Sequence, residues 1–373
     1  MKRVLVYGMT DNLGGLETFM LSYISNIDND KVVFDFIAPY EKISIEEEIN
    51  ELGGTVYHLP KRKENIRAYM NEFKVFMKNN ASKYDAVWLN DCMFCNLDIL
   101  ILAKIYGIKT RIIHAHNSKA MGSKSQLIRH TINKRLIGFL ATDFWACSKL
   151  AGEWSYPTSI AKKYGINVVT NAIDTEKYNY KVDIRNELRN KLGVENAFVI
   201  GNVGRLHFQK NQDFMLDIFK NVLSKKPNAV LWLIGGGEDE EKLRTKVNAL
   251  NIDNNVVFWG IRRDVPDMLQ AMDVFLMPSK FEGLGIVAIE AQSTGLPCIM
   301  SDVIPKDTNV TEHAEYLSLD DSPSVWAEKI LYYSEYNRHD GSNSVKAHGF
   351  DIKEASRKLE NQFINIINNN LTR

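Results

Sequence analysis

Asp273-Val274-Phe275-Leu276-Met277-Pro278-Ser279-Lys280-Phe281-Glu282-Gly283-Leu284-Gly285-Ile286-Val287-Ala288-Ile289-Glu290-Ala291 reads as a strand, a glycine-flexed loop and the start of a helix. The run Val274-Phe275-Leu276-Met277 is apolar without alternation, which marks a strand covered on both faces, as in a parallel sheet. The loop therefore begins at a strand's carboxyl end, where open α/β sheets bind ligands. Unpaired N–H groups at the start of the following helix are suited to phosphate. Glu290, on the helix, can accept hydrogen bonds from adjacent sugar hydroxyls. Glu282, in the loop, faces the mouth of a cleft and offers a second polyol a partner.

Composition sets the outer limits. The chain has 373 residues, 45% hydrophobic and 25% charged, enough for about two globular domains. A formal net charge of +0 gives no electrostatic case for nucleic acid as a partner. Four cysteines, Cys92, Cys95, Cys147 and Cys298, do not make a disulfide framework in so long a chain, and point to a reducing cytoplasm. The run from Met1 to Gly8 is too short for a signal segment, stops at Asp11, and reads as a first buried strand. No stretch approaches the roughly 20 apolar residues of a membrane span, so membrane association is expected to be peripheral.

Short apolar runs alternate with amphipathic stretches throughout, the pattern of parallel α/β sheets. Strands are expected at 2–7, 32–37, 55–58, 86–89, 111–115, 144–147 and 168–170, and again at 198–203, 229–234, 256–258, 274–277 and 297–301. Between the two sets, residues 174–195 are polar and lack strand signals, which places the domain junction there. The expected domains are 1–173 and 174–351, with a terminal helix at 352–373 packing back on the first.

Other segments carry chemistry. Gly201-Asn202-Val203-Gly204-Arg205-Leu206-His207-Phe208-Gln209-Lys210-Asn211 again follows a buried strand. Its glycines allow close backbone approach, and Arg205 with Lys210 could counter a diphosphate; a solvated basic loop is the other reading. Gly235-Gly236-Gly237 lacks the spacing of a P-loop or a dinucleotide fingerprint. Gly14-Gly15-Leu16-Glu17-Thr18 opens a helix after the first strand. His114-Ala115-His116-Asn117-Ser118 ends a later strand with both histidines on one face. Asp28-Asn29-Asp30 precedes a strand and reads as a turn, not as the acidic triplet of a metal-dependent transferase. Cys92-Met93-Phe94-Cys95 has no partner pair and reads as buried thiols. Residues 119–140 interleave Lys124, Arg129, Lys134 and Arg135 with Leu127, Ile128, Ile132, Leu136 and Ile137. That segment is either an ordinary surface helix or a peripheral membrane contact.

Taken together, the glycine-rich loop, the strand-end histidine, Gly204-Arg205-Leu206 with Lys210-Asn211, and Glu282-Gly283 through Glu290-Ala291 resemble the retaining GT-B glycosyltransferases of family 4. His114 to Ser118, Glu290-Ala291-Gln292 and Gly295-Leu296-Pro297 are similar to the subgroup that builds bacterial exopolysaccharide and capsule repeat units. The resemblance implies two Rossmann-like domains facing an interdomain cleft, the first (1–173) for the acceptor and the second (174–351) for the nucleotide-sugar donor, and a metal-independent hexosyltransferase with no cofactor beyond its nucleoside-diphosphate sugar donor. It implies that Arg205 and Lys210 neutralise the donor diphosphate while the N–H groups of Gly285, Ile286 and Val287 cradle it. Glu290 would bind the ribose, Glu282 the transferred sugar, and His116 would lie beside that sugar's reacting end; Gly15 would mark the loop that closes over the donor. The implied acceptor is a glycan or a lipid-linked saccharide, met in the cytoplasm at the inner face of the cell membrane. Two departures stand out: Ala172 in Asn171-Ala172-Ile173-Asp174 where the family has glycine, and Gly285-Ile286 where the subgroup has Gly-Leu-Pro. A silent nucleotide-sugar-binding scaffold and a sugar-nucleotide epimerase are the competing readings. Donor base, sugar, linkage and oligomeric state are not legible in these motifs.

Overall fold

The computed structural model describes residues 1–12, 14–117 and 123–371. It divides into two compact units, Met1–Ala172 with Ile352–Arg373, and Ile173–Asp351. Each is a parallel α/β sheet. The first unit contains β1 (Lys2–Tyr7), β2 (Val32–Ala38), β3 (Val56–His58), β4 (Ala86–Asp91), β5 (Thr110–Ala115), β6 (Asp143–Ala146) and β7 (Asn167–Val168) in the order β3-β2-β1-β4-β5-β6-β7. The second contains β8 (Phe198–Val203), β9 (Ala229–Ile234), β10 (Val256–Gly260), β11 (Val274–Met277), β12 (Cys298–Ser301) and β13 (Ala314–Leu317), ordered β10-β9-β8-β11-β12-β13.

The sequence logic is visible in the burial. Val4, Leu5 and Val6 in β1 and every residue of β11 and β12 are buried, because helices cover both faces of each sheet. β13 is the strand that sequence reading misses. Its four residues are only half-buried and carry Glu315 in the middle, so an edge strand gives no apolar run to read. The polar stretch after residue 173 holds a helix, Val182–Leu192, belonging to the second unit. Its Arg189 donates to the Asp273 carboxylate at 3.0 Å, and Arg185 pairs with the same group. Asp273 in turn accepts the Val199 N–H at 2.7 Å, so a single carboxylate ties this helix to β8 and to the start of β11.

The last helix, Ile352–Leu371, belongs to the first unit. Ile352, Leu359, Phe363 and Ile367 fall on one helical face and are buried. The Phe363 ring lies 5.4, 5.1 and 5.0 Å from the rings of Phe34, Trp88 and Trp145, across three strands of the first sheet. Glu360 fixes the register by accepting from Lys31 Nζ at 2.8 Å and from the Asp28 N–H at 3.0 Å. Asp28 itself accepts the Asp30 N–H at 3.0 Å and forms the turn into β2.

Phe363→Ala should remove this aromatic bridge and lower the stability of the first unit by about 3–5 kcal/mol, the cost of emptying a fully buried aromatic site. Urea unfolding followed by tryptophan fluorescence checks it. An unchanged midpoint for the transition that reports Trp88 and Trp145 would show that the helix is not part of this core.

Candidate active site

In each sheet the winding direction reverses once: between β1 and β4 in the first unit, and between β8 and β11 in the second. Loops leaving adjacent strands at such a reversal diverge and leave a crevice at the carboxyl edge.

At the second unit's reversal, the loops after β8 and β11 are stitched side by side. Lys280 N donates to the Gln209 carbonyl at 2.8 Å, Gln209 Nε2 to the Phe281 carbonyl at 3.0 Å, and Asn211 Nδ2 to the Pro278 carbonyl at 3.1 Å. Asn211 holds a left-handed backbone with φ 58°, which an asparagine tolerates better than most residues. Neither Gln209 nor Asn211 is evident as a positioning residue from sequence, because their partners are carbonyls some 70 positions away in the chain.

Lys210 and Glu282, which the sequence reading sends to different parts of a ligand, meet each other here: Lys210 Nζ lies 2.7 Å from Glu282 Oε1. Both are largely buried, with side-chain exposures of 17% and 7%. Arg205 is different. It is 68% exposed and pairs at 2.9 Å with Glu238, itself half exposed, so solvent screens the contact and the guanidinium can swing to a ligand.

The helix Ile286–Ser293 starts at the same place. Its cap, Gly285, has φ 83°, a left-handed conformation that favours glycine. Among the described residues, no protein acceptor meets the N–H groups of Gly285, Ile286 or Val287. Further along, burial pushes the Glu290 carboxyl up to about 7, against the opposing influence of neighbouring Tyr178 and Lys177. Tyr178 is a contact the sequence does not reveal. Gly235 and Gly237 serve packing: a Cβ at either would collide with the carbonyl oxygens of Gly204 or Leu206, at 2.1 and 2.2 Å.

The first unit's reversal carries a less charged set. The Glu17 carboxylate accepts from Thr10 N and Thr10 Oγ1 at 2.9 Å each and from Gly14 N at 3.0 Å, folding the segment before Gly15 onto the helix Gly15–Ile24. A Cβ at Gly15 would meet nothing within 4 Å. His116 lies beside buried His114, ring centroids 4.1 Å apart, and its Nε2 is 2.9 Å from Asn90 Oδ1. Nε2 must carry the proton to donate to that oxygen, which leaves Nδ1 an acceptor. Burial pushes the His116 ring down to about 3, so it stays neutral through the physiological range. Cys92 and Cys95 do not form the buried pair expected: Cys92 is exposed and Cys95 half-buried, because the turn after β4 opens onto a cavity. Of the basic segment, 119–122 lie outside the described residues, as does Ser118. The rest is the helix Lys124–Leu140, capped by Ser123 and Gln126.

The Lys210–Glu282 pair has a measurable consequence. Lys210→Met should strand a nearly buried carboxylate and cost about 2 kcal/mol, and Glu282→Gln added to it should restore most of the loss. Denaturant midpoints for the two single variants and the double variant form the cycle; additive losses would mean the pair carries no coupling.

Residues 184–343 match the family model described as glycosyl transferases group 1. The chain is 29% identical over 335 residues to "Putative glycosyltransferase EpsF" of Bacillus subtilis (strain 168), covering 88% of this chain and 87% of that protein. It is 31% identical over 218 residues, 55% of each chain, to the UDP-Gal:alpha-D-GlcNAc-diphosphoundecaprenol alpha-1,3-galactosyltransferase of Escherichia coli. The fold superposes on Anabaena Alr3699/HepE, solved in complex with UDP-glucose, with a TM-score of 0.78 at 18% identity, covering 98% of this chain and 100% of that one. The motifs at the reversal of the second sheet thus sit inside the matched segment, and the protein is a glycosyltransferase with the two α/β domains of the GT-B fold.

Proposed function

We propose that this glycosyltransferase moves a sugar from a uridine-diphosphate sugar to a diphosphate-lipid-linked saccharide in bacterial polysaccharide assembly, retaining the anomeric configuration and needing no metal. The observation that carries the reading is the second unit's crevice, where the loop bearing Arg205 and Lys210 is hydrogen-bonded to the loop that leads into the open N–H groups of Gly285, Ile286 and Val287. Glycosyl transfer breaks the bond between the sugar's anomeric carbon and the diphosphate oxygen, and negative charge grows on the leaving group. Fixed cations and helix-terminal N–H groups aimed at that charge stabilise it without reorganisation. On this reading the acceptor hydroxyl attacks the face the diphosphate leaves, and its proton passes to a departing phosphate oxygen. Glu290 accepts from the ribose hydroxyls and Glu282 from the transferred sugar. His116, neutral and with Nδ1 available as an acceptor, offers the reacting sugar an uncharged partner. HepE's complex with UDP-glucose and the E. coli relative's substrate name favour this donor and acceptor class.

The test is turnover of UDP-sugars with a prenyl-diphosphate-linked saccharide in excess EDTA, with the product anomer read by NMR. Activity should persist with retained configuration. Arg205→Ala should cut turnover on the order of 10²-fold, and Glu290→Gln should weaken UDP itself by about 1.5–3 kcal/mol. An inverted product, or activity that returns only on adding Mg²⁺ or Mn²⁺, would overturn the mechanism.

We further infer that the helix Lys124–Leu140 contacts a membrane. Ile128, Ile132, Leu136 and Phe139, spaced by four, four and three, are 61%, 55%, 46% and 74% exposed, and Lys124, Arg129 and Arg135 flank them. An apolar row bordered by cations suits an anionic lipid surface. No helix among the described residues is long and apolar enough to cross a membrane. Wild-type protein should sediment with phosphatidylglycerol-containing vesicles, and Ile132→Ser with Phe139→Ser should abolish it. Equal sedimentation of both would remove this role.

A further inference from the structure

The open N–H of Gly285 and the carbonyl of Leu284 belong to one planar trans peptide, so the direction of either fixes the other. That peptide lies between Gly283 and Gly285. Gly285 has φ 83°, and glycine accepts either sign of φ, so local sterics do little to stop the peptide from turning over. A side chain 24 positions on holds it. Thr308 Oγ1 donates to the Leu284 carbonyl, and in a trans unit this directs the Gly285 N–H away from Thr308.

Thr308 is itself held. It ends the short turn Lys306–Thr308 that follows β12, donates its N–H to the Pro305 carbonyl at 3.0 Å, and is fully buried. Its carbonyl accepts from Gln292 Nε2 at 2.8 Å. Gln292, on the last turn of the helix Ile286–Ser293, is also fully buried, and the rest of its amide engages the same two segments. Nε2 donates to the Ala288 carbonyl at 3.0 Å, while Oε1 accepts the N–H groups of Val310 and Thr311 at 3.0 and 3.1 Å and Thr311 Oγ1 at 3.1 Å. A dry side-chain amide with donors and acceptor all matched resists displacement, because any shift leaves polar atoms unpaired. The far end of the helix thus fixes the segment 306–311, and that segment reaches back to fix the peptide at the helix's start.

We infer that Thr308, clamped by Gln292, is a positioning residue for the donor: it presents the Gly285 N–H to the diphosphate without touching the ligand. This rests on the donor reading proposed above. A hydrogen-bond donor oriented before the charge arrives stabilises it without reorganisation, whereas a peptide free to turn over must first be ordered. The inference also gives the third residue of Glu290-Ala291-Gln292 a part in the site.

Three variants separate this role from general support of the helix. Thr308→Val keeps the shape and removes the hydroxyl, and Thr308→Ser keeps the hydroxyl. Thr294→Val removes a comparable buried hydroxyl, Thr294 Oγ1 to the Ala291 carbonyl at 2.8 Å, at the other end of the same helix. Calorimetry on the full chain should show UDP weakened on the order of 10-fold in T308V, with T308S and T294V close to wild type; Thr308→Ala repeats the loss if T308V does not fold. A second readout needs no ligand: in protein isotope-labelled on glycine, the Gly285 amide resonance should move in T308V and hold its place in T308S. UDP bound by T308V as by wild type, an equal loss in T294V, or a Gly285 amide unmoved in T308V would overturn the positioning role. Wild-type protein that fails to bind UDP, with the amide response as expected, would instead overturn the donor reading and leave the orientation of this peptide standing.

Discussion

Lys210 and Glu282 are 72 residues apart in the chain and touch because β8 and β11 are neighbours in one sheet. That adjacency is the constraint from which the second unit's chemistry follows. Reversal of winding at this pair separates the covering helices and exposes both strand ends, while parallel pairing keeps those ends level. Gly201 admits the close packing beneath: a Cβ there would lie 2.0 Å from Met272 Sδ. Once the two loops are aligned, their backbone and amide hydrogen bonds lock them together. Lys210 and Glu282 are then held in place before any ligand arrives, the kind of preorganisation on which electrostatic stabilisation depends.

The same arrangement explains why two cations five positions apart in one loop, Arg205 and Lys210, behave differently. Lys210 is nearly out of water and would be costly without a counter-ion, so Glu282 holds it in the unliganded protein. On the reading proposed above, a diphosphate arriving here would compete with a carboxylate and a sugar at Glu282 with an ammonium, so donor binding would exchange one internal ion pair for two external contacts. Arg205 faces no such exchange, since its partner Glu238 is on the surface and the pair is screened.

Sequence carries the strands that are buried on both sides, because their side chains must be apolar whatever lies beside them. β1, β8, β9 and β11 are legible from end to end for that reason. β13 is not, since an edge strand with half-exposed residues has no pattern of its own. Glycine turns and strand-end polar residues mark where a site lies, yet strand order, which decides what meets what, leaves no local trace. The Lys210–Glu282 pair, the nearness of Tyr178 to Glu290 and the carbonyl contacts of Gln209 and Asn211 are all products of order. Cys92 shows the converse: apolar neighbours in sequence suggest burial, but the turn that Asp91 caps delivers it to an open cavity.

The two reversal points also sort charge in opposite ways. In the second unit the crevice gathers cations and open N–H groups, and burial lifts the Glu290 carboxyl to about 7. In the first, burial keeps His116 uncharged, pushing it to about 3, and lifts Asp91 to about 7. A leaving diphosphate needs positive charge in place before the bond breaks. Desolvation thus acts alike on Glu290 and Asp91, and what separates the two crevices is the set of residues each strand order delivers: Arg205 and Lys210 in one, His116 in the other.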